Sequence, residues 1–319
     1  MKAAIIGLGV IGKVHLNVIK NLNEDLVGVC DIDIEKLNDF NDEISYTDYK
    51  KMLCETKPDI VHICTPHYLH KEMIIYALER NIHVLCEKPL CISYDELSEI
   101  EAVCKISNAQ LGVCYQNRYV PANIFVREYL KGQDIISVKG TLMWHRDSKY
   151  YNQASWRGTK KYEGGGVLIN QAIHTIDLLQ LFYGMPDNIT AHLDNISLQN
   201  IIEVEDTAII HSSDNSFMLM ATNAAVYDFP IKISIQTSKE KIDIISDCVY
   251  IDGKIYNCEV LNDIPGAKKT YGGGHYSIIK DFYYCITNNK KFDIDFYEAS
   301  KSLKIVLAAY SSYGKNIKI

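Results

Sequence analysis

With 319 residues, of which 47% are hydrophobic, the chain is long enough for about two domains, each with a packed core. The formal net charge of −7 argues against a surface that binds nucleic acid or an anionic membrane. No apolar stretch approaches the roughly 20 residues that span a bilayer, and no signal sequence precedes the first predicted strand, so we expect a cytoplasmic protein.

The cysteines do not follow a disulfide or metal-binding pattern. The chain has ten, but no Cys-x-x-Cys pair occurs to form a zinc or redox site. Several follow apolar runs that predict strands, namely Cys30, Cys64, Cys86 and Cys114. We therefore expect reduced, mostly buried thiols and no metal site.

The N-terminal segment predicts a βαβ unit. Residues 3–6 form an apolar run without polar alternation, which is typical of a parallel strand buried on both faces. Gly7, Gly9 and Gly12 then have the spacing G-x-G-x-x-G. The first glycine permits a tight turn, the second lets the backbone approach a pyrophosphate, and the third lets the following helix pack closely. The pattern therefore predicts a dinucleotide site at the start of a helix.

Asp31 ends the second apolar strand about 20 residues after the glycine turn, as this fingerprint requires. Its carboxylate would accept hydrogen bonds from the ribose hydroxyls and would repel a 2′-phosphate, which favours NAD over NADP. The alternative is that Asp31 merely caps a helix. The expected contacts of the cofactor in this unit are Gly7, Leu8, Gly9, Val10, Ile11, Gly12, Asp31 and Ile32.

Further strands and helices alternate up to about residue 120, with a short helix predicted over residues 35–40. Polar residues follow the strands predicted near residues 60–63, 82–85 and 111–114, and ligands of doubly wound sheets lie beyond the carboxyl ends of strands. The strand-end residues expected at the cofactor are Thr65, Pro66, His67, His70, Glu87, Lys88 and Gln116. Residues 1–120 therefore predict a Rossmann domain with a doubly wound parallel sheet.

The pattern changes in residues 121–319. After an aromatic and basic loop over residues 145–163, a triple glycine opens one strongly periodic helix that carries Asn170, His174 and Asp177 on one stripe. From residue 189 to 251, β-branched runs joined by turn residues indicate a largely antiparallel sheet. This half therefore predicts a second domain with a largely antiparallel sheet.

These motifs resemble the glucose–fructose oxidoreductase, inositol dehydrogenase and MocA (Gfo/Idh/MocA) family. The resemblance spans nearly the whole chain and depends most on Glu87-Lys88-Pro89 and on the glycine run followed by a helix with His174. It implies that residues 121–319 form an α+β domain with a large, mostly antiparallel open sheet, which binds substrate. It implies homo-oligomers as well, dimers or tetramers, that use this sheet as an interface. It also implies hydride transfer between NAD and a hydroxyl or carbonyl carbon of a sugar, polyol or sugar derivative.

Two positions depart from the family pattern. Many members carry aspartate one turn before the histidine, where this chain has Asn170, and asparagine after the Thr-Pro pair, where it has His67. Asn170 cannot relay a proton, so Lys88 and His174 are the expected catalytic residues. His174 would act as the base, since the ordinary pKa of histidine, about 6.5, suits proton exchange at neutral pH. Lys88 would polarise the substrate oxygen.

The expected substrate contacts combine aromatic faces, which stack on sugar rings, with charged and polar donors. They are Lys88, Arg118, Tyr151, Trp156, Arg157, Asn170, His174 and His275. For Trp156 a place in the core is an equal alternative, and for Arg157 a surface ion pair is. Two other functions stay open: a regulator that binds NAD and sugar without catalysis, and a glycosidase that uses NAD without net redox change.

Overall fold

The computed structural model describes residues 1–259 and 274–319, which form two compact units. The first unit comprises residues 1–116 and 274–299, and the second comprises residues 117–259 and 300–319. Residues 274–299 thus belong with the N-terminal unit, whereas the sequence analysis assigns them to the second domain.

The regular elements of the described chain alternate strand and helix in the N-terminal part. They are β1 (Lys2–Ile6), α1 (Val10–Asn21), β2 (Asp25–Cys30), β3 (Ser45–Tyr46), α2 (Tyr49–Thr56), β4 (Ile60–Ile63), α3 (His70–Leu78), β5 (His83–Cys86), α4 (Tyr94–Cys104) and β6 (Leu111–Val113). The later part begins with α5 (Pro121–Tyr129), β7 (Ile135–Met143), α6 (Ser148–Tyr151), α7 (Val167–Asn170) and α8 (Ile173–Tyr183). It continues with β8 (Asn188–Asp194), β9 (Thr207–His211), β10 (Phe217–Thr222), β11 (Lys232–Thr237), β12 (Lys241–Ile245), β13 (Cys248–Ile251), β14 (Lys254–Cys258), α9 (His275–Thr287), α10 (Phe296–Ser312) and β15 (Ile317–Lys318).

The first unit has a six-stranded parallel sheet with the order β3-β2-β1-β4-β5-β6. Residues 3–6 of β1 and every residue of β4 are buried, as their apolar sequences predict for strands covered on both faces. Gly112 in β6 leaves room for α9, since a Cβ atom there would lie 2.8 Å from the Phe282 ring. The predicted Rossmann fold is confirmed.

The second unit has a nine-stranded sheet with the order β14-β13-β12-β11-β7-β10-β9-β8-β15. Its strand pairs are antiparallel except β7 with β10, so the predicted mostly antiparallel sheet is confirmed. Helix α8 covers one face. Gly140 of β7 permits this approach, because a Cβ atom there would lie 2.9 Å from Cγ2 of Thr175. Burial alternates along β9, where Ala208 and Ile210 are buried and Ile209 is 42% exposed.

Two predicted helices differ from the structure. Over residues 35–40 there is only a 3₁₀ turn, Ile34–Leu37, whose start is capped by Asp33. It ends early because Asn38 and Asp39 follow, and such residues disfavour a helix interior by competing for backbone groups. The single helix expected after the triple glycine is two helices, α7 and α8. They are separated by a wider turn in which the Ala172 N–H donates to the Val167 carbonyl oxygen, five residues back, at 2.8 Å.

Most of the cysteines match the expectation of reduced, buried thiols. Eight are free, and six of these are buried. Cys248 contradicts the expectation, because it is disulfide-bonded. Its strand β13 pairs with β14, the last strand of the sheet order, and Cys248 is half-buried, so packing covers it less than the six buried thiols. Within residues 1–259 and 274–319, no helix has both the length and the apolar character to cross a membrane.

Candidate active site

The glycine turn between β1 and α1 has the geometry that a bound pyrophosphate needs. Gly7 has φ +94°, and a Cβ atom there would lie 2.6 Å from the Cys64 carbonyl oxygen. A Cβ atom at Gly12 would lie 1.9 Å from the Gly7 carbonyl oxygen, whereas nothing lies within 4 Å of one at Gly9. Helix α1 begins at Val10 without a side-chain cap, so no capping side chain competes for its first N–H groups with an anion that binds at this turn.

Asp31 follows β2, and its carboxylate is hydrogen-bonded to the backbone of the glycine turn. Its Oδ2 accepts a hydrogen bond from the Leu8 N–H at 2.8 Å, and its Oδ1 accepts one from the Asp33 N–H at 3.0 Å. Asp33, and not Asp31, caps the 3₁₀ turn, so the capping alternative for Asp31 is wrong. Lys36 Nζ lies 3.2 Å from Asp31 Oδ1, a cation that the sequence analysis missed because it is in the turn and not in the fingerprint.

The strand ends carry the other predicted cofactor residues. After β4, Thr65 and Pro66 are half-buried and His67 is buried. His70 is fully buried, with Nδ1 2.7 Å from the Pro89 carbonyl oxygen and Nε2 2.9 Å from that of Thr65. Burial lowers the pKa of His70. Its ring therefore braces the ends of β4 and β5 against each other.

Glu87 ends a chain of buried side chains within the first unit. His15 Nε2 lies 3.1 Å from Glu87 Oε1, His15 Nδ1 lies 2.8 Å from His62 Nδ1, and His62 Nε2 lies 2.9 Å from the Tyr283 hydroxyl. Burial alone would raise the pKa of Glu87, but hydrogen bonds from His15 and His275 outweigh it and hold this pKa well below the ordinary value. Glu87 is thus an anion that fixes the start of Glu87-Lys88-Pro89.

The protonation of these hydrogen-bonded side chains can be assigned from their contacts. Burial lowers the pKa values of His15 and His62, so both rings are neutral. The Nε2–H of His15 donates to Glu87, its Nδ1 accepts from the His62 Nδ1–H, and the Nε2 of His62 accepts from the Tyr283 hydroxyl.

Two of these residues and His275 bring together donor atoms of the kinds that ligate zinc. Nε2 of His15, Oε1 of Glu87 and Nε2 of His275 lie within 4.8 Å of one another. The His15 nitrogen has no lone pair for a cation while its proton is donated to Glu87. His275, predicted as a substrate residue, is 4% exposed, with Nε2 3.4 Å from Glu87 Oε1. The structure therefore places His275 with Glu87.

Lys88 and Gln116 follow β5 and β6. Lys88 is half-buried, its N–H lies 3.3 Å from Glu87 Oε2, and its peptide bond to Pro89 is cis. Gln116 is buried. Lys88 thus follows a residue whose carboxylate is held on several sides.

In the second unit, His174 and Asn170 are distinguished by their exposure. Every residue from 165 to 180 is buried except these two, which are half-buried. A helix that is apolar nearly all round is a core helix, and Asn170 and His174 are the polar residues of this segment that reach the surface. The predicted pair of Asn170 and His174 therefore shares the accessible part of the segment, although the wider turn at Ala172 lies between them.

A polar network surrounds Asn170. The Glu163 carboxylate accepts short hydrogen bonds from the Asn170 side chain and from the Gly158 N–H. The Tyr150 hydroxyl accepts from Arg157 and, at 3.1 Å, from Gln171 Nε2. Sequence analysis missed Tyr150, Glu163 and Gln171. The one available signal was that Glu163 directly precedes the triple glycine.

The other predicted substrate residues have different surroundings. Arg157 is half-buried, and its guanidinium carbon lies 4.4 Å from the Tyr150 ring centre and 5.1 Å from that of Trp156. Tyr151 is 4% exposed, packs with Leu198, and its hydroxyl accepts from Asn223 Nδ2 at 3.1 Å. Trp156 is half-buried. Arg157 and Trp156 thus form an accessible aromatic and cationic group, whereas Tyr151 belongs to the core.

Arg118 makes a buried ion pair. Its Nε and one terminal nitrogen lie 2.7 and 2.6 Å from the two oxygens of Asp177, and that nitrogen lies 3.2 Å from Gln180 Oε1. The Ser302 hydroxyl donates to Asp177 at 2.7 Å. Arg118 is 6% exposed. Its guanidinium therefore serves to tie the start of the second unit to α8.

Two family profiles match the chain. One, described as an oxidoreductase family with an NAD-binding Rossmann fold, matches residues 1–115, and a Gfo/Idh/MocA C-terminal domain matches residues 133–241. Among solved structures, the WlbA dehydrogenase of Bordetella pertussis with NADH and UDP-GlcNAcA has a TM-score of 0.86 at 23% identity, over 100% of this chain and 98% of that one. A levoglucosan dehydrogenase with NADH has a TM-score of 0.84 at 22% identity, over 100% and 99% of the two chains. These likenesses show a shared fold.

Curated relatives align over part of their length. The D-glucoside 3-dehydrogenase of Escherichia coli is 28% identical over 60% of this chain and 57% of its own. The levoglucosan dehydrogenase of Pseudarthrobacter phenanthrenivorans is 30% identical over 46% of this chain and 38% of its own. An uncharacterized oxidoreductase of Bacillus subtilis, YrbE, is 27% identical over 74% of this chain and 71% of its own. The matching profiles on both halves, together with the glycine turn and its acidic partner, show that the chain belongs to the Gfo/Idh/MocA family of NAD-binding oxidoreductases.

Proposed function

We propose that the protein transfers hydride between NAD and a hydroxyl or carbonyl carbon of a sugar, polyol or sugar derivative. The observation that carries the proposal is the exposure of Asn170 and His174 alone in a segment whose other residues are buried. Relatives named as glucoside and levoglucosan dehydrogenases support the substrate class. The bound nicotinamide would supply the hydride acceptor or donor, and Gly7, Gly9, Gly12 and Asp31 would hold its dinucleotide.

His174 would remove the hydroxyl proton when hydride leaves the carbon, and return it in the reverse direction. Proton transfer of this kind needs a group whose pKa lies near the working pH, and histidine is the ordinary choice. Lys88 would polarise the substrate oxygen, because an ammonium group stabilises the charge that develops there in the transition state. The buried chain that holds Glu87 supports this role by fixing the backbone at which Lys88 begins.

Arg157 and Trp156 would bind the body of the substrate. The guanidinium packs against both the Tyr150 and the Trp156 ring, which limits its freedom. It is also a planar donor for hydroxyl or phosphate oxygens. An indole face packs against the C–H surface of a sugar ring. Because Arg118 and Tyr151 are buried in contacts of their own, we assign them to the support of this region.

The exposed face of the C-terminal sheet would form a homodimer or homotetramer interface. On this face Met220 of β10 lies directly opposite Ile209 of β9, and the two are 41% and 42% exposed. Adjacent exposed apolar residues on a wide sheet favour association with a second copy. Light scattering at micromolar concentration would show a dimer or tetramer, and a monomer would contradict the proposal.

A panel of sugars, inositols and sugar nucleotides, scored for NADH formation, tests the function. We expect one class of substrate to reduce NAD, and His174→Asn to lower kcat by a factor on the order of 10²–10⁴ with that substrate. The matched control is His211→Asn, which alters a histidine of strand β9. Cleavage of a glycosidic bond without NADH formation would favour the alternative of a glycosidase. Binding of NAD and a sugar without turnover would favour the alternative of a regulator.

A further inference from the structure

Glu163 is a buried carboxylate placed between two hydrogen-bond donors. Its Oε1 accepts from Nδ2 of Asn170, its Oε2 accepts from the N–H of Gly158, and the residue is 1% exposed. A carboxylate has two acceptor oxygens and so satisfies both donors at once. A glutamine has one oxygen and one NH₂ group, so it satisfies only one donor and presents a donor to the other.

The contact decides which way the Asn170 amide faces. Because Nδ2 is directed at Glu163, the amide oxygen Oδ1 lies on the other branch of the same fork. Asn170 is one of the two residues between 165 and 180 that reach the surface. Its oxygen is therefore the atom suited to receive a hydrogen bond from a ligand.

We propose that Glu163 is a positioning residue that makes Asn170 a hydrogen-bond acceptor for a hydroxyl group of the substrate. The inference rests on the proposed function, since it requires a hydroxylated substrate beside Asn170. It narrows the substrate class: the position bound by Asn170 carries a hydroxyl group, and an O-methyl or deoxy analogue cannot donate to Oδ1. Glu163 acts through Asn170 and does not contact substrate.

The surroundings of Glu163 make this orientation depend on pH. Burial raises the pKa of Glu163 to about 7, against the hydrogen bonds from Gly158 and Asn170 and the charge of Arg157. Glu205 raises the pKa further, and Tyr150, Tyr151 and Tyr310 are titratable residues of the described chain that also interact with Glu163. Once protonated, Glu163 can donate to Oδ1, and the amide can turn its NH₂ group outward. Turnover should therefore rise as Glu163 ionises.

Moving the carboxylate between the two positions tests the inference. In Glu163→Gln, one side-chain oxygen must serve the Gly158 N–H, so the NH₂ group faces Asn170 and turns its amide around. In Asn170→Asp, a half-buried carboxylate faces the buried carboxylate of Glu163, and one of the two must take up a proton. In the double variant, the glutamine NH₂ group donates to the new aspartate, whose second oxygen is again an acceptor.

We expect kcat/KM of Glu163→Gln to fall about 10- to 100-fold, the effect of one lost hydrogen bond to a buried partner. The kcat/KM of the double variant should be at least tenfold higher than that of Glu163→Gln, which additive effects of the two substitutions would not give. The part of the pH-dependent rise that Glu163 contributes near 7 should be lost in Glu163→Gln, and any rise that comes from deprotonation of His174 should remain. Replacing the bound hydroxyl by O-methyl should lower kcat/KM only in the wild type and the double variant. Glu203→Gln, an exposed glutamate of the same unit, is the matched control.

Additive effects of the two substitutions, or an unchanged kcat/KM in Glu163→Gln, would overturn the inference. If Glu163→Gln does not fold, recovery of folding in the double variant supports the coupling of the two residues. If neither Glu163→Gln nor the double variant folds, while Asn170→Asp is fully active, the inference is overturned. A different result would contradict the proposed function itself, namely that the wild type forms no NADH with any member of the substrate panel. NADH binding, followed by fluorescence, confirms that each variant retains its first unit.

Discussion

The two candidate regions of the molecule are built in different ways. The dinucleotide site is made of backbone: three glycines, the N–H groups of α1 and one carboxylate, all within residues 7–31. The region around Asn170 is made of side chains from separate segments, which include Tyr150, Arg157, Glu163 and Gln171. Local backbone geometry can be recognised from spacing, whereas a side-chain network depends on how distant turns pack.

The difference also bears on function. A site made of backbone N–H groups binds the same phosphates whatever the neighbouring side chains, so it suits a cofactor shared by a whole family. A side-chain network can be altered one residue at a time, and this suits selection among hydroxylated substrates. In this chain Asn170 and Glu163 form such a pair, an amide matched to a carboxylate.

The largest expected effect concerns Lys88. Lys88→Met should lower kcat by a factor on the order of 10²–10⁴ and leave the dissociation constant for NADH nearly unchanged, because the glycine turn and Asp31 remain. Steady-state kinetics and NADH fluorescence measure the two quantities. Lys105→Met, which removes an exposed lysine paired with Glu101, is the control. An unchanged kcat would remove Lys88 from the catalytic assignment.

Replacing Arg118 tests whether this residue supports the fold or binds substrate. Arg118→Met leaves the carboxyl group of Asp177 buried without its guanidinium partner, so the free energy of unfolding should fall by about 3–5 kcal/mol. Urea denaturation measures this loss. Arg127→Met, which breaks an exposed pair with Glu128, should cost under about 1 kcal/mol. A stable Arg118→Met protein with a raised KM would instead favour substrate binding.

Glu163 should also affect stability as a function of pH. Its pKa is raised from 4.5 to about 7 by burial, so the folded protein binds a proton that the unfolded chain releases between these values. The contribution of Glu163 to stability is thus fully present below about pH 4.5 and is lost as the pH rises through about 7. Relative to Glu163→Gln, the wild type should lose about 3 kcal/mol between pH 5 and 8. A difference independent of pH would contradict this assignment.

The smallest expected effect concerns cofactor preference. In Asp31→Ser the carboxylate that repels a 2′-phosphate is gone and Lys36, now 3.2 Å from Asp31, can pair with that phosphate. The ratio of the dissociation constants for NAD and NADP should shift about tenfold toward NADP. Ile32→Arg should add to the shift, and Lys36→Met in the Asp31→Ser background should reverse it. Equal wild-type affinity for NAD and NADP would refute the role of Asp31.

Sequence alone determined the elements whose signals are local. The apolar runs of β1 and β4, the glycine turn and Asp31 follow from steric and solvation rules that operate within a few residues. The resemblance of Glu87-Lys88-Pro89 and of the His174 helix to a known family added the second fold and the catalytic candidates. The single helix predicted there was wrong in detail, because one wider turn at Ala172 leaves the apolar pattern nearly unchanged.

Only the tertiary structure decided how polar side chains are used. Arg118 pairs with Asp177, 59 residues away, and the chain from Glu87 through His15 and His62 ends at Tyr283, 221 residues beyond His62. A buried polar group must find a partner, but the sequence does not state which one, since the partner is chosen by packing and not by spacing. For the same reason Glu163 was not recognised, although it decides which atom Asn170 presents.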